Sequence, residues 1–185
     1  VDADLSDTSV HYVYGIWDGA PAANTQLLAQ TLTEREFVNG SVVTRVRRAT
    51  SNQPVWTSGA SNHKGWRTAL PAGERVLGEG SFIESSRYYF NAYDPAPRTG
   101  AKSASGQPGS NTLLELDYLS GGSPRQPFLD LSGKGRPGDD DRIRYEVGDT
   151  MPAGQKVGAP IMSTDGIAVG RHIALGVASQ PVLVR

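Results

Sequence analysis

Apolar and polar positions alternate with a period of two along most of this chain, in short runs separated by glycine, proline and asparagine. Residues 8–17 read TSVHYVYGIW, where Val10, Tyr12, Tyr14 and Ile16 alternate with Ser9, His11, Val13 and Gly15. That pattern, with its aromatic and β-branched content, predicts a strand buried on one face. Residues 35–50 read as a hairpin, because EFV precedes Asn39-Gly40 and SVVTRVRRAT follows it. Asn-Gly between alternating runs is a strong type I′ turn signal. Arg45, Arg47 and Arg48 are expected on an exposed strand, since short charge runs are usually solvated faces. Thr25–Thr33 is the one helical candidate, with Leu27, Leu28 and Leu32 on one side.

Further strands are expected at 65–71, 74–77 and 81–93, the last breaking at Ser85-Ser86. Others follow at 112–118, 142–147, 157–163, 166–169 and 172–177. The stretch 94–111 is rich in Pro, Gly and Ser and reads as a flexible loop. Short strands at close spacing with turn signals between them predict an all-β region that is a sandwich, a barrel or part of a propeller.

Composition supports this reading. The 185 residues suffice for one domain, and 22 glycines with 12 prolines favour turns over helices. A formal net charge of −1 with mixed signs argues against a broad nucleic-acid surface. No window approaches the roughly 18 apolar residues of a membrane span. The absence of cysteine excludes disulfides and thiolate metal sites. The chain begins at Val1 in a polar run and ends on PVLVR, so it is expected to be a piece of a longer polypeptide.

Candidate chemistry centres on 121–144, GGSPRQPFLDLSGKGRPGDDDRIR. Asp130 to Asp141 has the outline of a twelve-residue calcium loop. Asp130 takes position one, Ser132 three, Gly135 six, Arg136 seven through its carbonyl, and Asp141 twelve. Lys134 puts a cation at position five and Gly138 offers no side chain at nine. Three readings are open. Calcium binds weakly with Asp139–Asp141 supplying carboxylates, or the Lys134 ammonium takes the cation's place on Asp130 and Asp141, or the run is a solvated turn.

Other site signals are weak. His11, His63 and His172 lack ligand spacing. Trp17 and Trp66 read as core, while Trp56 in a polar loop reads as core or as a partner or sugar contact. There is no G-x-S-x-G elbow and no phosphate loop of the G-x-x-x-x-G-K-[ST] type. Asp139–Asp141 are consecutive and give no glycosidase geometry, whereas Glu84, Glu115 and Asp117 lie on strands that can converge.

Several segments taken in order resemble the C-terminal β-propeller region of the PilY1/PilC family of type IV pilus biogenesis and adhesion proteins. These are DLSDTSVHYVYGIWDG, GWRTALPAGERVLGEG, SFIESSRYYFNAYDP, NTLLELDYLSGG, FLDLSGKGRPGDDDRI and VGAPIMSTDGIAVG. Their shared order and spacing carry the resemblance over nearly the whole chain. It implies an all-β fold, part of a modified β-propeller of short antiparallel strands with long loops. It implies a non-enzymatic role in pilus assembly, in opposing retraction and in surface attachment. The implied partners are pilin or minor-pilin proteins and host or abiotic surfaces. The implied place is extracellular, at the pilus tip or outer membrane after export through the periplasm. In the family the acidic loop binds calcium, which here implies Asp130, Ser132, Arg136 and Asp141 as ligands. A carbohydrate-binding or carbohydrate-active β domain using Trp56, Tyr93 and the acidic loop is the alternative.

Overall fold

The structure is a computed structural model that describes residues 7–18, 23–56, 62–83, 86–95, 109–143 and 166–175. Its regular elements are strands and two single 3-10 turns. No helix among the described residues is long and apolar enough to cross a membrane. In chain order the strands are β1 (Tyr12–Ile16), β2 (Leu27–Asn39), β3 (Val42–Ala49), β4 (Gly65–Ala69) and β5 (Arg75–Val76). They continue as β6 (Ser81–Ile83), β7 (Arg87–Asp94), β8 (Ser110–Asp117), β9 (Arg142–Ile143) and β10 (Gly166–Leu175). They form one strongly curved, nearly closed, barrel-like sheet. Its path runs β1-β4-β2-β3-β10-β8-β7-β5, with β6 beside β7 and β9 beside β10. All pairs are antiparallel except β2 with β4.

The all-β expectation is therefore met, with local corrections. Thr25–Thr33 is not helical: a 3-10 turn at Asn24–Gln26 leads into β2. Leu27 and Leu28 pair with β4 and Leu32 with β3, and this pairing overrides a weak helical pattern. The hairpin is present but turns one residue later than expected. Asn39 pairs with Val42, so Gly40-Ser41 form the two-residue loop, and Gly40 has φ 59°. Glycine at the first loop position supplies that positive φ without a Cβ clash. Residues 166–169 and 172–175 belong to one strand, kinked by register shifts rather than divided at Gly170. The expected strand 157–163, the extension to 147 and most of the loop 94–111 lie outside the described residues. At the edges of that loop, Asp94 ends β7, and Ser110 and Asn111 already belong to β8.

The core lies inside the curve of the sheet. Phe90 pairs with Leu114, Leu114 with Gly170 and Gly170 with Arg47, so the same row of one face crosses four strands. Phe90, Ala92, Leu114, Leu116, Trp66 and Val169 form the main cluster. A second, smaller cluster of Val46, Leu131, Ile143 and Ala168 anchors the ends of the acidic loop on the sheet.

Two of the three arginines expected on an exposed strand are in fact buried. Arg47 and Arg48 each keep 4% of their surface exposed, while Arg45 is solvent-facing. Arg47 makes a two-pronged ion pair with the buried Glu74 carboxylate, Nη1 to Oε2 at 2.6 Å and Nη2 to Oε1. A guanidinium fork matched to a carboxylate satisfies both charges away from water, which an alternation rule does not foresee. β1 alternates between two faces, as its sequence does. Val13 and Gly15 face inward, while Tyr12, Tyr14 and Ile16 are the exposed set.

Candidate functional sites: an acidic loop and an aromatic cleft

In the acidic loop, backbone amides hold the two bracketing carboxylates. Asp130 Oδ1 accepts from the N–H groups of Gly133 at 2.8 Å and Lys134 at 3.0 Å, and Oδ2 accepts from Gly135 at 2.7 Å. Gly133 and Gly135 have φ of 75° and 85°, the left-handed turns that aim these amides inward. Asp141 sits in the 3-10 turn Asp139–Asp141 and is 2% exposed. Its Oδ1 accepts from Leu131 at 2.7 Å and Ser132 at 2.6 Å, and its Oδ2 from Gly138 at 2.7 Å. Burial raises the Asp141 pKa, but the hydrogen bonds from Ser132, Gly138 and Leu131 together outweigh it and leave the carboxyl below its usual range.

The loop's other ionic groups face solvent. Lys134 Nζ pairs with Asp140 Oδ2 and not with Asp130 or Asp141. That hydrogen bond, and the charge behind it, hold the Lys134 pKa above its usual value. Arg142 Nε donates to Asp139 Oδ1 at 2.9 Å. The Ser132 carbonyl accepts from Asn39 Nδ2 at 2.7 Å, which ties the loop to the β2–β3 hairpin. The structure thus places Asp130, Ser132 and Asp141 in one small network. Arg136 contributes no described side-chain contact to it. No cluster of three His, Cys, Asp or Glu with metal-site geometry occurs among the described residues.

A second feature escaped the sequence. An apolar cleft of about 820 Å³ opens between residues 13–17, at the end of β1, and the β6–β7 hairpin. Its floor is Trp66 on β4, flanked by two glycines. A Cβ at Gly15 or Gly121 would come within 2.3 and 2.1 Å of the indole, so both positions must be glycine. Trp66 Nε1 donates to the Tyr118 carbonyl at 2.7 Å, which fixes the ring. The turn behind it is pinned by Gln30 Nε2 to the Ser120 carbonyl at 2.9 Å and by Thr68 Oγ1 to the Gly121 carbonyl at 2.8 Å. Phe82, Tyr88 and Tyr118 build the far wall, with the Phe82 ring tilted against Tyr88 at 5.2 Å and edge-on to Tyr118 at 6.1 Å. Trp17 and Trp56 stand at the mouth, 52% and 41% exposed.

The remaining candidates separate. Tyr93 lies on β7 and the acidic loop packs at the β2–β3 hairpin; neither lines the cleft that holds Trp56. Glu115 pairs with Arg87 at 2.8 Å, and Asp117 Oδ1 accepts turn amides from Leu119 and Ser120. Glu84 lies outside the described residues. His63 Nδ1 accepts from the Val55 N–H at 2.9 Å, a structural contact. The cleft was hidden because its aromatics come from separate segments, and alternation does not say which face of β1 turns outward.

No family model matches the chain, and no curated protein matches it in sequence. Among solved structures, the crystal structure of the Pseudomonas aeruginosa PilY1 C-terminal domain is similar, with a TM-score of 0.69 and 20% identity. The match covers 94% of this chain and 33% of that one, so the chain spans about a third of the solved neighbour. The fold is thus that of part of the PilY1 C-terminal domain, as the ordered segments of the sequence implied.

Proposed function

We propose that this chain is a non-enzymatic binding domain of the type IV pilus machinery. In this reading it serves pilus assembly, opposes retraction and contributes to surface attachment. The observation that carries the reading is the fold shared with the PilY1 C-terminal domain over 94% of the chain. The ordered sequence segments point the same way independently of the fold. Its partners are pilin or minor-pilin subunits and host or abiotic surfaces. Its place is the extracellular face of the cell, at the pilus tip or outer membrane. The test is a binding titration of the purified chain on immobilised pilin and minor-pilin subunits. Saturable binding is expected; no binding to any subunit refutes the partner assignment.

The acidic loop, in the same proposal, holds its shape without calcium. Support comes from the backbone amides that occupy Asp130 and Asp141, from Lys134 at position five, and from Gly138 at position nine. A calcium site needs several oxygens turned to one point, and here position five brings a positive charge and position nine no side chain.

The carbohydrate reading keeps one supporting observation, the half-exposed Trp17 and Trp56 at one cleft mouth. It requires glycan binding that is lost on Trp56→Ala.

A further inference from the structure

Both walls of the aromatic cleft are strand edges. Among the described residues β1 pairs only with β4, and β6 only with β7. In an antiparallel pair, alternate residues turn their N–H and C=O groups towards the neighbour and the others turn them away. Trp17 donates to the Lys64 carbonyl and Leu70 to the His11 carbonyl, so residues 11, 13, 15 and 17 face β4. The backbone groups of Tyr12, Tyr14 and Ile16 therefore point to the open side. Five consecutive residues, 13–17, line the cleft with a glycine at their centre, so the strand presents its backbone there as well as its side chains. Across the gap, Phe82 on β6 is 66% exposed.

We propose that this cleft is a strand-addition site. It takes an extended apolar segment of a partner protein, which pairs with the open edge of β1 and lays alternate side chains among the aromatic rings. Sheets protect their edges with charges, prolines, bulges or a covering element, and Tyr12–Ile16 carries no charge and no proline. An apolar edge left unpaired among the described residues is the kind of surface that takes an added strand. Charge then narrows the occupant. Among the described residues no carboxylate lines the cleft, and Lys64 Nζ stands 5.3 Å from the centre of the Trp17 ring without an ion pair. The segment accordingly carries an acidic group at the end that lies beside Lys64. A second copy of this chain would pair β1 with itself, and self-association in the experiment separates that outcome. The inference concerns how a partner is held, and it stands whether or not that partner is a pilin.

The chain's three tryptophans, Trp17, Trp56 and Trp66, all line the cleft, so intrinsic fluorescence reports on it directly. The probe is an array of ten-residue peptides that alternate apolar and polar residues, with and without a terminal aspartate. Saturable binding is expected for the aspartate-bearing peptides. N-methylation of the amides along one peptide edge weakens it about tenfold or more, the loss of one or two hydrogen bonds. Phe82→Lys weakens binding similarly, and Lys64→Ala removes the preference for the aspartate. Hydrogen exchange at the Tyr14 and Ile16 amides slows in the complex. Absence of binding across the array overturns the proposal, as does binding indifferent to N-methylation, which would mean an apolar sink. Concentration-dependent self-association abolished by Phe82→Lys also overturns it, in favour of a second copy.

Discussion

Asp141→Asn removes the charge that holds the acidic loop closed and changes little else in shape. The carboxylate accepts three backbone N–H groups, two on Oδ1 and one on Oδ2. Asparagine keeps one accepting oxygen. Its less costly orientation serves Leu131 and Ser132 and turns the amide NH₂ against the Gly138 N–H. One charge-assisted bond is lost, two others weaken to neutral ones, and two donors face each other at a buried position. Such bonds contribute ~1.5–3 kcal/mol each, and a stranded buried donor costs ~1–3 kcal/mol, so a loss of about 2–4 kcal/mol is expected. For a chain of this size that lowers the melting midpoint by roughly 4–16 °C. The assay is thermal and urea unfolding followed by circular dichroism and tryptophan fluorescence. Asp140→Asn is the control, because that exposed carboxylate holds only Lys134 and its loss is expected to leave the midpoint unchanged.

Acid supplies a second arm of the same experiment. The folded-state pKa of Asp141 lies below the ordinary 3.8, so its stabilisation is complete above that value and is lost as pH falls through the folded-state pKa. The difference between wild type and Asp141→Asn therefore closes in acid. Equal midpoints at neutral pH, or a difference that persists unchanged in strong acid, would refute the reasoning.

Other outcomes follow from the same packing. Glu74→Gln takes the buried carboxylate from Arg47 and leaves the guanidinium only the half-exposed Glu34 at 3.5 Å, so a cost of about 3–5 kcal/mol is expected by chemical denaturation; a loss below about 1 kcal/mol would mean that Glu34 or water takes over the pair. Gly170→Ala places a Cβ 2.5 Å from Leu114 Cδ2 and 3.2 Å from the Leu113 carbonyl, so a loss of about 1–3 kcal/mol is expected, and unchanged stability would show that β10 can shift. Calorimetric titration of calcium is expected to give no heat with the wild-type chain, and Lys134→Asp is expected to gain weak binding; tight wild-type binding would overturn the metal-independent loop.

The strands were legible wherever alternation and turn residues agreed, as in the Asn39-Gly40 hairpin and in β7 and β8. What alternation lacked was direction. It marked Tyr12, Tyr14 and Ile16 as one face of a strand, but the sign of that face depends on Trp66, which fills the inner side opposite Gly15. Arg47 looked solvated because its partner Glu74 is 27 residues away in a turn, and pairing at that distance leaves no local trace. In the acidic loop the spacing of Asp130 and Asp141 was visible, and so was the discord of Lys134. The choice of Asp140 as the lysine's partner was not, because three consecutive aspartates look alike until the 3-10 turn sends each in a different direction. Trp56 was noticed for its polar surroundings, while its neighbours in the cleft come from strands and turns spread across residues 13–119.

The central claim, a domain that supports pili against retraction, is tested most directly by counting surface pili on cells with and without this chain. The count is made in backgrounds with and without the retraction motor. Pili are expected to fall when the chain is removed and to return when retraction is also blocked. An unchanged pilus count in cells lacking the chain would contradict the account.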